Sequence, residues 1–185
     1  MDRLDNSPFD LLLTMAARSR VAQGSGDAEQ RDATQRLEPH WTGVGFSIGE
    51  WRFVAPLGQV TEILAGVKLT RLPRVRPWVK GVANVRGRLL PVIDLGEFFG
   101  MKAEGGGRRQ RALVVEIDET YCGLLVDDAH GLKHFGVDAY QPDIQDTPEA
   151  LTPFLAGRYD TADGSWTVFD TGSLVSSDRF LQAGC

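Results

Sequence analysis

Cysteine is nearly absent from this chain of 185 residues: Cys122 and Cys185 are the only two. That excludes a disulfide framework, and without a CxxC pair or a Cys/His spacing it also excludes a zinc module; a reducing compartment fits best. Long apolar runs are missing as well. The stretch at residues 11–17 is short and follows Asp2, Asp5 and Asp10 instead of a positive leader, which argues against a signal peptide. No run approaches a membrane span, so a cytoplasmic chain without direct membrane insertion is expected. Histidine is scarce too. His40, His130 and His134 have no cysteine or carboxylate partner at a familiar spacing, so no metal, no cofactor and no catalytic residue is assigned.

What is present is an ordinary globular composition, 42% hydrophobic, with an uneven distribution of charge. The formal net charge is −5, yet residues 67–111 hold eleven Lys/Arg against three Asp/Glu, a net of +8, which leaves −13 for the remainder. An acidic chain with a basic middle points to a positive face that meets an acidic partner. A solvated basic surface is the plainer alternative.

The first 40 residues read as an extension. Ser7 caps a helix with Pro8 at its first position, Phe9, Leu12, Leu13 and Ala16 share one face, and Gly24 stops it. A helix this short needs a body or partner to dock on. Residues 23–40 carry almost no large apolar side chains and read as a linker.

From residue 41 the period changes to two. Val44, Phe46 and Ile48 alternate with small or polar residues, Gly49 and Glu50 turn, and WRFVAP continues as a second strand. Further strand-like runs are QVTEIL (59–64), VKLTRLP (67–73), GVANVRG (81–87), LLPVIDL (89–95), RALVVEI (111–117), YCGLLVD (121–127), LAGRYDT (155–161) and SWTVFDT (165–171). Pro91 marks an edge or bulge position. No helix of ten residues intervenes, so residues 41–185 are expected to be an all-β body, with too many strands for one small barrel; two barrels or one sandwich would hold them.

Three local patterns suggest chemistry. VFDTGS (168–173) matches the active turn of aspartic proteases, with Asp170 as the acid, but a single copy needs a symmetric partner. The plainer reading is a strand ending at Phe169, with Asp170 or Thr171 capping a short C-terminal helix through Leu174. EGGGRRQR (104–111) lacks the flanking strand and Lys-Ser/Thr of a phosphate cradle and reads as a loop tip. A basic groove for single-stranded nucleic acid is the third alternative. It is weakened because Trp78 is the one ring in the basic segment before Phe98.

GVANVRGRLLPVIDLGEFFG (81–100), preceded by VTEIL (60–64) and LPRVRPWVKG (72–81) and followed by CGLLVDD (122–128), resembles the CheW-like adaptor family of bacterial chemosensory systems; LAGRYDTADGSWTVFDTGSL (155–174) does so more loosely. The likeness spans residues 41–175. It implies two intertwined five-stranded Src-homology-3-like barrels. It also implies a non-enzymatic scaffold that joins a CheA-type histidine kinase, through its regulatory domain, to the cytoplasmic tip of a methyl-accepting receptor. Within the family, the N-terminal helix and the WTGVGF and VAPLGQVTEIL stretches look most like the PilI branch, which serves type IV pili and twitching motility.

Carried over by position, Asn84, Arg86 and Gly87 fall on the family's NLRG motif, with Val85 in place of the usual leucine, and Arg86 is tied to receptor binding. Val60 and Glu62 fall on VxEI positions near the receptor or kinase contacts, and Gly81 on a glycine linked to kinase association. Thr171 stands where leucine is common. On physical grounds alone, Val60 could be a core residue, Gly81 and Gly87 could serve tight turns, and Asp94 could be a structural acceptor at a strand end. Arg86 is the hardest to explain by folding, because a guanidinium gains most from a bidentate or partly desolvated acceptor.

Overall fold

A computed structural model describes residues 40–101, 110–144 and 147–183. The helix expected between Ser7 and Gly24, the linker after it and the glycine-rich loop at 105–107 lie outside the described residues.

The strands follow one another in the order β1 (His40–Ile48), β2 (Trp51–Pro56), β3 (Val60–Ala65), β4 (Val79–Val85) and β5 (Arg88–Asp94), with α1 (Leu95–Phe99) closing the first half. The second half holds β6 (Arg111–Ile117), β7 (Thr120–Val126), β8 (Asp128–Gly136), β9 (Tyr140–Gln141), β10 (Leu155–Thr161) and β11 (Gly164–Phe169), followed by α2 (Thr171–Val175) and α3 (Asp178–Leu181). One sheet has the order β3-β6-β7-β5-β4, the other β8-β1-β2-β11-β10-β9.

Each sheet is closed into a barrel by its own chain path. After β3 the chain crosses to β4, where Thr70 and Val82 exchange two backbone hydrogen bonds of 2.8 and 2.9 Å. After β8 a 3-10 turn (Val137–Ala139) leads into β9, which pairs with β10 through Gln141 and Arg158. The first sheet has five strands, and counting β8 and β9 as one bent strand gives five in the second, so there are two five-stranded barrels, as expected. The barrels also exchange hairpins: β1–β2 sits among the late strands, and β6–β7 sits among the early ones.

The two halves repeat one another in detail. A bulge interrupts β3 against β6 after Val60, and a bulge interrupts β8 against β1 at the corresponding place, beside Gly45 and Phe46. Val92 pairs in parallel with Gly123, as Val168 does with Val54. Gly81 and Gly157 both have positive φ, and Asp94 and Asp170 both cap the helix that follows, accepting from the N–H three residues on.

The exchange explains the nearly unbroken apolar runs. Val92, Val114 and Val54, Val168 fill the interiors of the two barrels, while their neighbours Ile93, Leu113, Val115, Phe53 and Phe169 face a larger core shared between them. A strand buried on both faces needs no polar alternation. The rings of Phe46, Phe53 and Phe169 meet in this shared core with centroids 5.5 to 5.7 Å apart.

Four local expectations are corrected or completed. VKLTRLP (67–73) is no strand: Val67 and Leu69 pack inward, but the segment makes one bridge before Pro73 removes a donor. DAHGLKHFG does form a strand, β8, that the sequence reading did not include. Residues after Asp94 turn into α1, capped by that side chain at 3.0 Å and ended by Gly100 at φ 71°. Pro91 lies on an interior strand, not an edge; its ladder to β7 starts one residue later, at Val92, so no hydrogen bond is lost there. The C-terminal helix is present as expected, with Asp170 as its cap.

Candidate functional site

The geometry begins at the β4–β5 hairpin. Val85 pairs with Arg88, which leaves Arg86 and Gly87 as a two-residue turn, and both have positive φ, 52° and 84°. Two left-handed residues in succession make the turn whose twist suits a hairpin, a place normally filled by Asn, Asp or Gly. Asn84 braces it by accepting from the Gly87 N–H at 2.9 Å. An arginine in this conformation costs about 1–2 kcal/mol. The turn chemistry therefore does not call for Arg86.

Arg86 points to solvent, its side chain 80% exposed, and its Nη2 donates to Glu62 Oε1 at 2.9 Å. Glu62 arrives from β3 just past the bulge, which re-aims the strand so that Val60 packs toward the shared core and Glu62 toward the hairpin. Between β3 and β4 runs an open groove of about 710 Å³, bordered by Glu62, Leu64, Val67, Asn84, Arg86 and Leu89. Leu89 is 69% exposed, the highest value among the large apolar residues described.

On the other side of Arg86 a smaller hollow holds Arg88, Glu116 and Tyr121. Arg88 donates from both Nη atoms to Glu116 Oε1 at 3.0 Å and lies 3.8 Å over the Tyr121 ring; the Glu116 carboxylate raises its pKa. Leu89, Arg88 and Tyr121 were not singled out from the sequence. The available signal was RGRLLP, where two adjacent leucines cannot both face the barrel interior.

Of the six expected contact residues, Glu62, Asn84, Arg86 and Gly87 come together at the groove mouth. Val60 lies on the same strand but faces the shared core. Gly81 is buried, at φ 137°, and a Cβ there would stand 2.2 Å from the Thr70 carbonyl oxygen. It permits the chain after β3 to cross β4.

The site offers a guanidinium, a carboxylate and exposed leucine around an open groove, which suits an amphipathic protein segment with acceptor groups. Phosphates would meet Glu62 and Glu116 beside each arginine, which disfavours a nucleic-acid strand. Asp170 is engaged in its cap, accepting from the Ser173 N–H at 3.1 Å and the Ser173 hydroxyl at 2.6 Å. His134 Nδ1 bonds the Thr42 hydroxyl at 2.9 Å, and burial lowers the pKa of His130, which lies edge-on to Trp166. Among the described residues, no group of three His, Cys, Asp or Glu side chains converges as metal ligands. No described helix is long and apolar enough to cross a membrane.

The comparisons agree on one assignment. The CheW-like domain model matches residues 42–179. The chain is 40% identical over 175 residues to Protein PilI of Pseudomonas aeruginosa, covering 95% of each chain. It is 32% identical over 136 residues to the chemotaxis protein CheW of Helicobacter pylori, covering 72% of this chain and 76% of that one. The crystal structure of the scaffolding protein TtCheW from Thermoanaerobacter tengcongensis superposes with a TM-score of 0.66 at 27% identity, covering 75% of this chain and 94% of that chain.

Proposed function

This chain belongs to the CheW-like family, and on that premise we propose that it is a non-enzymatic adaptor coupling methyl-accepting-type receptors to a CheA-type histidine kinase. Its extensive likeness to PilI supports a pathway that controls type IV pili and twitching motility. The adaptor works in the cytoplasm, recruited to receptor arrays at the membrane.

The observation that carries this reading is Arg86: an exposed cation held in a strained turn beside an open groove, where folding alone favours Asn or Gly. The groove receives the helical hairpin of the receptor tip. Arg86, turned toward the groove by Glu62 and held by Asn84 and Gly87, meets its acceptor groups, and Leu89 meets its apolar face. Val60 and Gly81 are positioning residues: Val60 anchors β3 to the shared core, and Gly81 sets the crossing segment that the kinase's regulatory domain meets. A signal passes as a change in the kinase's conformational equilibrium, which requires the receptor contact to differ in strength between its two states.

Titration of the full chain with a CheA-type kinase and, separately, with a receptor-tip fragment tests the proposal. Binding to both is expected, with modest affinities suited to a transient interface. Binding to neither removes the adaptor reading.

A further inference from the structure

The segment between β3 and β4, residues 66–78, is a strap pinned at both ends. At one end Thr70 exchanges its two hydrogen bonds with Val82 over Gly81; at the other the Arg76 N–H donates to the Ala183 carbonyl at 3.0 Å. There Arg179, which donates to the Phe98 carbonyl, stacks over the Trp78 ring. Val67 and Leu69 anchor the strap to the barrel interior, and Pro73 and Pro77 limit its backbone freedom.

Everything else on the strap that is charged is basic and exposed: Lys68, Arg71, Arg74 and Arg76. Arg76 lies near the Trp78 ring. Lys68, Arg71 and Arg74 have no carboxylate within ion-pair distance among the described residues, unlike Arg86, Arg88, Arg158 and Lys80, each of which does. Exposed Leu72 sits among them. Arg74 has a φ of 56°, so here too an arginine occupies a conformation better suited to glycine. Cations gathered on a pinned backbone without internal counter-charges leave a field that only an outside partner can complement.

We propose that this strap is the kinase-side docking surface and that Arg71 and Arg74 select a carboxylate-rich face on the kinase's regulatory domain by charge. The proposal rests on the adaptor function above and adds the partner chemistry. An adaptor that holds two partners at once needs surfaces that do not overlap: the groove takes the receptor and is bordered by the start of the strap, Gly66 to Lys68 and Thr70, while Arg71 and Arg74 lie outside it. A nucleic-acid strand is a poorer fit, because Trp78, the strap's single ring, is covered by Arg179.

The test uses the full chain and its double variant Arg71→Glu/Arg74→Glu, titrated against the kinase and against the receptor-tip fragment at low and moderate salt. The variant is expected to lose at least tenfold in kinase affinity and most of its salt dependence, with receptor binding and melting temperature unchanged. Kinase binding equal to wild type, or an equal loss for both partners, overturns the proposal while leaving the adaptor reading intact. Wild-type binding to neither partner overturns both. A single-stranded oligonucleotide that binds more tightly than the kinase, and is released by the same variant, overturns it in favour of nucleic acid.

Discussion

Arg86 Nη2 lies 2.9 Å from Glu62 Oε1, joining the tip of the β4–β5 hairpin to the bulged strand β3 across the mouth of the groove. An ion pair this exposed contributes about 0–1 kcal/mol to stability, less than the strain of the turn that displays it. The pair therefore orients a side chain more than it holds the fold.

Stability and recognition should thus separate at Arg86. Arg86→Asn or Arg86→Gly relieves the left-handed turn by about 1 kcal/mol and loses an ion pair of similar size, so the melting temperature is expected to stay within a few degrees. Receptor binding is expected to fall at least tenfold. The exchanged pair Glu62→Arg/Arg86→Glu restores the internal contact; if receptor binding returned with it, orientation of the groove and not direct contact would be the role of Arg86.

Gly81 should behave in the opposite way. Gly81→Ala places a methyl 2.2 Å from the Thr70 carbonyl oxygen at a φ of 137°, so backbone must shift, at an expected cost of roughly 2–4 kcal/mol from overlap and strain. Faster hydrogen exchange at the Thr70 and Val82 amides would report release of the strap. At Gly87 the space is open and only the φ of 84° resists, so Gly87→Ala should cost about 1 kcal/mol. Equal losses at the two sites would contradict the close crossing at Gly81.

Much of this architecture was legible because the barrel strands carry strong β patterns and glycine turns. β8 escaped because the bulge at His130 shifts its phase and its outward face alternates His130, Leu132 and His134, while only Phe135 is fully buried. VKLTRLP gave a false strand signal for a physical reason: Val67 and Leu69 do alternate inward, but along a strap with no partner strand beyond one bridge. The NLRG positions drew attention to Arg86, which the structure places in the turn between β4 and β5. Its pairing with Glu62 could not be read, since it depends on how the barrel closes. The internal repeat was visible in principle, with Gly81, Asp94 and Gly96 matching Gly157, Asp170 and Gly172 at constant separation, but the residues between them differ almost throughout.

Asp94 gives a pH-dependent expectation. Burial raises its pKa above the ordinary carboxylate value of 3.8, outweighing the Glu97 N–H and the Lys80 ammonium, which act to lower it. The folded state therefore holds this proton more tightly than the unfolded chain, so the contribution of Asp94 declines as pH rises from about 3.8 through the higher folded value. Asp94→Asn keeps a capping oxygen and removes the buried charge, so it should equal or exceed wild type in stability at pH 7, with the difference shrinking in acid. Asp94→Ala removes the cap and should cost about 1 kcal/mol in acid and less at pH 7, where it also removes the buried charge. Urea denaturation at pH 4 and pH 7 checks both, and a loss for Asp94→Asn confined to pH 7 would show that the Lys80 pair dominates.

The exchanged hairpins predict how the chain responds to division. Residues 40–101 contain β3, β4 and β5 of one barrel but only β1–β2 of the other; residues 110–185 contain the hairpin β6–β7 that the first fragment lacks. Each fragment alone leaves β7-facing Val92 and Ile93, or β2-facing Val168 and Phe169, without the strand that covers them, exposing apolar surface that single domains rarely tolerate. Co-expressed as separate chains, the two fragments should therefore co-purify in equal amounts with a cooperative melting transition, while either alone aggregates or pairs with itself. A first fragment that stayed folded and monomeric by itself would mean that its three strands and α1 make a sufficient core without β6–β7, against the register observed for Val92 with Gly123.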